Sequence, residues 1–244
     1  MYHERGDLST AFPFYLAMTA AEFAGKETFS KPPAWMACHF SSYGTGLSNL
    51  PENLPEGSMV ILNDRIPIHG HDPEMMKDQL LALYETLHPE RFLLDLQRPG
   101  CPETAAAAKC IIDALPCPVG MTDHYAEGLN CPVYLAPPLL DTVLADYLQP
   151  WSGREIWLEA ALDHAVIPVT DSDSRYYSAS WEEEPETAFF DDSLFCHYRI
   201  RLTDSEAEFH LFRTHEDLTA LLQAAEALGV AAAVGLYQEL GTRI

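Results

Sequence analysis

The stretch from Arg91 to Gly100, RFLLDLQRPG, puts polar side chains where a buried strand runs out. It opens on four residues that suit a parallel strand covered on both faces, and Asp95 and Gln97, two apart, share one of those faces. Ligands gather at the C-terminal ends of parallel strands, which makes this decapeptide the first candidate for a functional site. A carboxylate flanked by leucines must be paired or hydrogen-bonded. Asp95 is therefore either a core carboxylate held by Arg98 or by backbone donors, or a ligand-facing group. Gln97 lies further towards the strand end and is read as ligand-facing. Asn63 and Asp64, Asp123 and His124, and Glu159 with Asp163 fall at other strand ends and can converge on the same rim. Glu159 is the candidate acid, because Trp157 and apolar neighbours raise a carboxyl's pKa; an ion pair with a neighbouring strand is its other reading.

Ile68-His69-Gly70-His71-Asp72 is the sharpest metal-like signal, since HxH sets two imidazoles on one side of an extended segment. The pair also stands between a strand and a helix, with Asp72 placed as the helix N-cap, and a surface turn is the favoured reading. No metal and no cofactor is assigned from the sequence. Gly44-Thr45-Gly46 has neither the strand-to-helix setting nor the Lys of a phosphate loop. Cys38-His39 beside Ser41 and Ser42 offers a nucleophile, but the spacing identifies no base and no third group.

Positioning these residues takes a repeated plan of strand and crossover. Apolar runs at 12–18, 34–40, 59–62, 91–95, 119–122, 132–136, 155–162 and 230–237 are mostly separated by connectors too long for hairpins. The seventh is expected to run on towards Val169. Helices are expected at 74–87, 103–115, 139–148 and from the Thr214 N-cap, with Asp217 as its acidic partner, to about Leu228. Runs at 195–202 and 208–213 alternate and predict an antiparallel hairpin, and the acidic stretch 171–192 predicts a lid-like loop. These elements give an α/β fold, an irregular (β/α)8 TIM-like barrel of one domain over 1–244, with 171–213 inserted before the last helix and strand.

The 244 residues match the size of one such barrel. A net charge of -23, from 37 acidic and 14 basic residues, argues against nucleic-acid and anionic-membrane partners, whose phosphates would be repelled. The N-terminal stretch carries an apolar patch without a basic leader, as Glu4 and Asp7 accompany Arg5, and a mature cytoplasmic protein is expected. The six cysteines include no CxxC pair and read as buried free thiols.

The segment HLFRTHEDLTALLQAAEALGVAAAVGLYQELG resembles the end of the chitinase-like glycoside hydrolases of family 18, including spore-cortex relatives. An aromatic-rich strand leads there to an acidic turn, a helix of alanine and leucine, and a last strand ending near an aromatic residue and Leu-Gly. GREIWLEAALDH matches the penultimate barrel strand of that plan. The family's D-G-x-x-x-D-x-E pattern falls on Glu90 to Gln97: Asp95 matches the last Asp, Glu90 and Arg91 replace the opening Asp-Gly, and Gln97 stands in the place of the Glu. Tyr134 is a counterpart of the strand-six Tyr with no Asp after it, and Tyr237 of the last-strand Trp if one extra residue is allowed. The resemblance implies a Glu that protonates the leaving oxygen and an Asp that positions the substrate's N-acetyl oxygen as nucleophile. Gln has no proton to give, and loss of a general acid costs about 100- to 10,000-fold in rate. It can still hydrogen-bond a sugar hydroxyl.

The expected protein is thus a barrel that binds a small glycan or peptidoglycan fragment with weak or no hydrolysis. Asp95, Gln97 and Glu159 hold the catalytic positions, and Asp64, Asp123, Tyr134 and Tyr237 the substrate-binding ones. Three readings stay open beside it: an active glycoside hydrolase using another rim carboxylate, a metal-dependent hydrolase built on His69 and His71, and an interaction protein docking through 171–192.

Overall fold

The computed structural model describes residues 10–26, 28–44, 46–98, 101–137, 139, 142–169, 177–178, 188–202 and 207–241. From the N-terminal side, β1 (Phe14–Met18) leads through α1 (Ala20–Ala24) to β2 (Pro33–Phe40), bordered by the two-residue β3 (Leu47–Ser48). Then come β4 (Met59–Asn63), α2 (Pro73–Leu87), β5 (Arg91–Asp95), α3 (Pro102–Ala114), β6 (Val119–Thr122), α4 (Asp123–Ala126), β7 (Val133–Leu135), α5 (Leu144–Leu148) and β8 (Ile156–Ala160). The chain next forms β9 (His164–Val169), β10 (Tyr177–Ser178), β11 (Phe189–Asp191), β12 (Cys196–Leu202) and β13 (Ala207–Phe212), and ends in α6 (His215–Ala227), β14 (Ala232–Leu236) and α7 (Tyr237–Leu240).

The strands β1, β2, β4, β5, β6, β7, β8 and β14 pair in parallel in that order, and β14 returns to β1, so the expected eight-stranded barrel closes. It is irregular, as expected: β3 and a loop, not a helix, connect β2 to β4. The β2–β3 hairpin is closed by the Ser41 N–H donating to the Gly46 carbonyl at 2.8 Å. Asp72 caps α2 by accepting from the Glu74 N–H, and Thr214 and Asp217 form a reciprocal capping box on α6.

Three boundaries differ from the sequence expectation. β8 stops at Ala160, and His164–Val169 belongs to a second, antiparallel sheet of order β10-β9-β13-β12-β11, which contains the expected hairpin as β12 and β13. The break is fixed from a distance: Arg213 donates its N–H to the Asp163 carbonyl at 3.0 Å and its Nη1 to Asp163 Oδ2 at 2.7 Å, tying the two roots of the insertion together. The last barrel strand ends at Leu236, and Tyr237 opens α7. The helix expected over 139–148 is shortened to Leu144–Leu148 with a 3-10 turn at Gln149–Trp151. Of the acidic stretch, 171–176 and 179–187 lie outside the described residues, so the lid expectation falls largely there.

Burial explains the strand composition. Outward-facing residues of the strands pack under the helices in one cluster, and inward-facing ones (Tyr15, Met59, Ile61, Leu93, Tyr134, Trp157, Val234) fill the barrel in another. At the N-terminal end the interior is plugged: the Arg91 guanidinium lies 6.0 Å from the Tyr15 ring centroid and 5.2 Å from that of Trp157, and Glu155 Oε1 accepts from both Arg91 and Trp157. β6 presents Gly120 to this ring, where a Cβ would stand 2.4 Å from Trp157 Cε3 and Cζ3. Gly120→Ala is expected to destabilise the fold by roughly 1–3 kcal/mol through overpacking, read as a lower urea midpoint at unchanged slope.

Candidate functional site

The interior opens at the other end into a cavity of about 690 Å³. Its floor is the next layer of inward residues, Ala17, Met36, Ile61, Leu93 and Val234, and its polar groups are Asn49, Asn63, Asp64, Arg65, Asp95, Gln97, Tyr134 and Glu159. A mostly aliphatic concavity with a few convergent polar groups is the usual form of a small-ligand site. Of the strand-end groups expected on one rim, Asn63, Asp64, Asp95, Gln97 and Glu159 line this cavity, and Asp123, His124 and Asp163 do not.

Gln97, although exposed, is held at its main chain and at its side chain. Thr122 Oγ1 donates to the Leu96 carbonyl at 2.8 Å, and the Gln97 N–H donates to Asp64 Oδ1 at 3.1 Å. Its side-chain amide donates from Nε2 to Asp95 Oδ1 at 2.6 Å, an orientation fixed because an ionised carboxylate only accepts. Asp64, 5% exposed, also accepts the Arg98 N–H at 2.7 Å, while Arg98 Nε returns to the Asp64 carbonyl at 2.9 Å. Arg98 therefore serves Asp64 and not Asp95, and Asp95 is held by Gln97. Burial pushes the Asp95 carboxyl up; the Gln97 hydrogen bond pulls it down and the Asp64 charge pushes it up again.

Glu159 faces the same cavity from β8. Burial, then the charges of Asp163, Asp95 and Glu239, push its carboxyl up to about 7. Among the described residues the charges that act on it are those of Asp163, Asp95 and Glu239, all negative, and they supply no ion-pair partner. A carboxyl titrating there holds a proton half the time at neutral pH and can donate or accept one. Tyr134, buried beneath it, is pushed well above its ordinary value by burial and by the charges of Glu159 and Asp95, and stays a neutral hydroxyl.

The β2 side of the rim carries groups the sequence reading missed. The register of β2 against β4 slips between Trp35 and Cys38, a bulge whose carbonyls at Met36 and Cys38 both accept from Asn63 Nδ2 at 3.0 Å. Beside it, Arg65 Nη2 lies 3.0 Å from His39 Nε2. No spacing signal marks His39, Asn49 and Arg65 as neighbours; only Arg65's place directly after Asn63-Asp64 points to the rim.

Other candidates fall elsewhere. Asp123 opens α4 and accepts the His124 N–H at 2.8 Å, outside the cavity lining. Tyr237 also lies outside the lining, with Lys26 Nζ 4.2 Å from its ring centroid. Its displacement follows from the strand ending one residue earlier. His71 Nδ1 lies 2.5 Å from the Ile68 carbonyl, and His69 faces Glu103 at 3.7 Å, so the two imidazoles have separate partners. Among the described residues no group of three or more His, Cys, Asp or Glu is arranged to hold a metal. Burial pushes the Cys38 thiol up to about 12, which makes it a poor nucleophile. All six cysteines are free; Cys38, Cys131 and Cys196 are buried and the others half-buried. No helix among the described residues is long and apolar enough to cross a membrane.

No protein-family model matches the chain, and no curated protein matches its sequence. Solved structures match the fold. The spore cortex-lytic enzyme SleL of Bacillus cereus superposes with a TM-score of 0.57 at 8% identity, over 92% of this chain and 70% of that one. The chitinase from Chromobacterium violaceum gives 0.55 at 8% identity, covering 96% of each chain. A Glu-to-Gln mutant of the class V chitinase of Nicotiana tobaccum, in complex with NAG4, gives 0.57 at 9% identity, over 92% of this chain and 93% of that one. The resemblance to chitinase-like barrels is thus borne out in the fold.

The raised Glu159 carboxyl sets a pH dependence. It takes up its proton near pH 7 in the folded chain and near 4.5 in the unfolded one, so the folded state binds more protons between those values and stability falls as pH rises through them. Glu159→Gln is expected to remove that fall, gaining roughly 2–3 kcal/mol relative to the unmodified protein above pH 7 against pH 4–5. Urea unfolding at pH 4.5 and 8 checks it; an unchanged difference between the two proteins would falsify the assignment.

Proposed function

We propose that the chain is a glycan-binding barrel whose cavity takes a short N-acetylated oligosaccharide or peptidoglycan fragment and hydrolyses it weakly or not at all. The observation that carries this reading is the Gln97 amide donated to Asp95 at the mouth of a cavity shared with Asp64, Tyr134 and Glu159. Hydroxyl and amide groups of a neutral sugar suit such a lining, with carboxylates as acceptors and an amide that both donates and accepts. A polar constellation held this firmly at the strand ends is also more than a purely scaffolding barrel requires. The fold it shares with SleL and with a Glu-to-Gln chitinase mutant holding NAG4 adds support by analogy.

A second reading is favoured by Glu159: an active hydrolase in which this proton-bearing carboxyl replaces the missing acid. Two variants separate the readings. Gln97→Glu sets a second carboxyl against Asp95, and two carboxyls so close share one proton, which restores a donor. Turnover of N-acetylglucosamine oligomers is then expected to rise by about 100-fold or more over the unmodified protein. High turnover in the unmodified protein that Glu159→Gln abolishes selects the second reading. Isothermal titration of the unmodified protein with N-acetylglucosamine oligomers and muropeptides is expected to show binding, and absence of heat with all of them overturns the glycan reading.

A further inference from the structure

Among the described residues lining the cavity, Arg65 carries the positive charge and Asp64, Asp95 and Glu159 are the acids. Its main chain is fixed on both sides: the Arg65 N–H donates to Asn63 Oδ1 at 3.3 Å, and its carbonyl accepts from Arg98 Nη2 at 2.9 Å. Its side chain is fixed by a ring nitrogen. His39 Nδ1 lies 2.8 Å from the Phe40 carbonyl, which can only accept, so Nδ1 bears the proton and Nε2 presents a lone pair. Arg65 Nη2 at 3.0 Å and Asn49 Nδ2 at 3.2 Å both donate to that lone pair. His39 is 8% exposed, so this acceptor is a buried anchor beside the cavity and not part of its lining.

A guanidinium fork matches a carboxylate in geometry and charge. Here the acids of the cavity are committed elsewhere: Asp64 to the Gln97 and Arg98 amides, Asp95 to Gln97, and Glu159 to a cluster of other acids. Among the described residues Arg65 makes no ion pair, and its tether to His39 leaves its charge uncompensated. The tether uses one end of the guanidinium, and the remaining N–H groups keep the planar fork that fits a carboxylate.

We infer that Arg65, oriented by His39, selects a glycan whose sugar carries a free carboxylate, such as a lactyl ether or uronic acid group. The inference rests on the glycan reading above and deepens it. A single fork matched to one negative charge, in a cavity otherwise acidic, favours a monoanionic carboxylate over a phosphate, whose second charge would face Asp95 and Glu159.

Three tetrasaccharides test it by isothermal titration at fixed ionic strength: the N-acetylglucosamine tetramer, an alternating N-acetylglucosamine and N-acetylmuramic acid tetramer with free lactyl carboxylates, and the methyl ester of the latter. The ester keeps the bulk of the lactyl group and removes its charge. The free acid is expected to bind about tenfold tighter than the ester, and Arg65→Gln to bring that ratio close to one. Arg65→Lys, a point charge without a fork, is expected to restore only part of it. Equal affinity for acid and ester in the unmodified protein overturns the inference and leaves the glycan reading standing, as does a ratio that persists in Arg65→Gln. Failure of all three ligands to bind removes both.

Discussion

A carboxylate withdrawn from water must be met by donors, and Asp64 meets its own across the gap between two strand exits. By accepting the main-chain N–H groups of Gln97 and Arg98, it ties the end of β5 to the end of β4. Arg98 closes the brace from the other side onto the carbonyls of Asp64 and Arg65. Gln97 and Arg65 are both anchored through their main chains by that exchange, Gln97 at its N–H and Arg65 at its carbonyl. The cavity's chemistry therefore rests on a cross-link that itself touches the ligand space only at its edge.

The opposite half of the rim is governed by burial and then by repulsion. Burial is the first cause that raises the Glu159 and Asp163 carboxyls, and the charges of Asp163 and Glu239 on Glu159, and of Glu239 on Asp163, add to it. Arg213 is the counterweight: it pairs with Asp163, although burial holds its guanidinium below the ordinary value. The same pair joins the barrel to the antiparallel sheet, so the charge balance around Glu159 is linked to the docking of the insertion. Burial first, and relief of the acidic cluster second, favour the protonated form of Glu159 up to about pH 7.

How much of this could be read from the residue order depends on the range of the interactions. The strand at 91–95 is legible because burial on both faces makes an unbroken apolar run, and Glu159 because Trp157 and its neighbours announce a desolvated site. Asp72 and the Thr214–Asp217 box are legible because caps are local. The end of β8 is not: the run from Glu155 to Val169 contains no Gly, its one Pro is Pro168, and the residue that bends it out of the barrel, Arg213, comes 50 positions later. Tyr237 reads as strand because nothing in Val234-Gly235-Leu236-Tyr237 marks the switch to helix. His39 and Arg65 meet only through the β2 bulge, a one-residue slip in register that leaves no trace in composition.

The plug of Arg91, Tyr15 and Trp157 fills the barrel at the end away from the cavity, with Tyr15 and Trp157 fully buried. Among the described residues the concavity is consequently closed at that end. A polymer can lie across its mouth or dip one residue into it, but it cannot thread through. Whatever enters it must leave by the way it came.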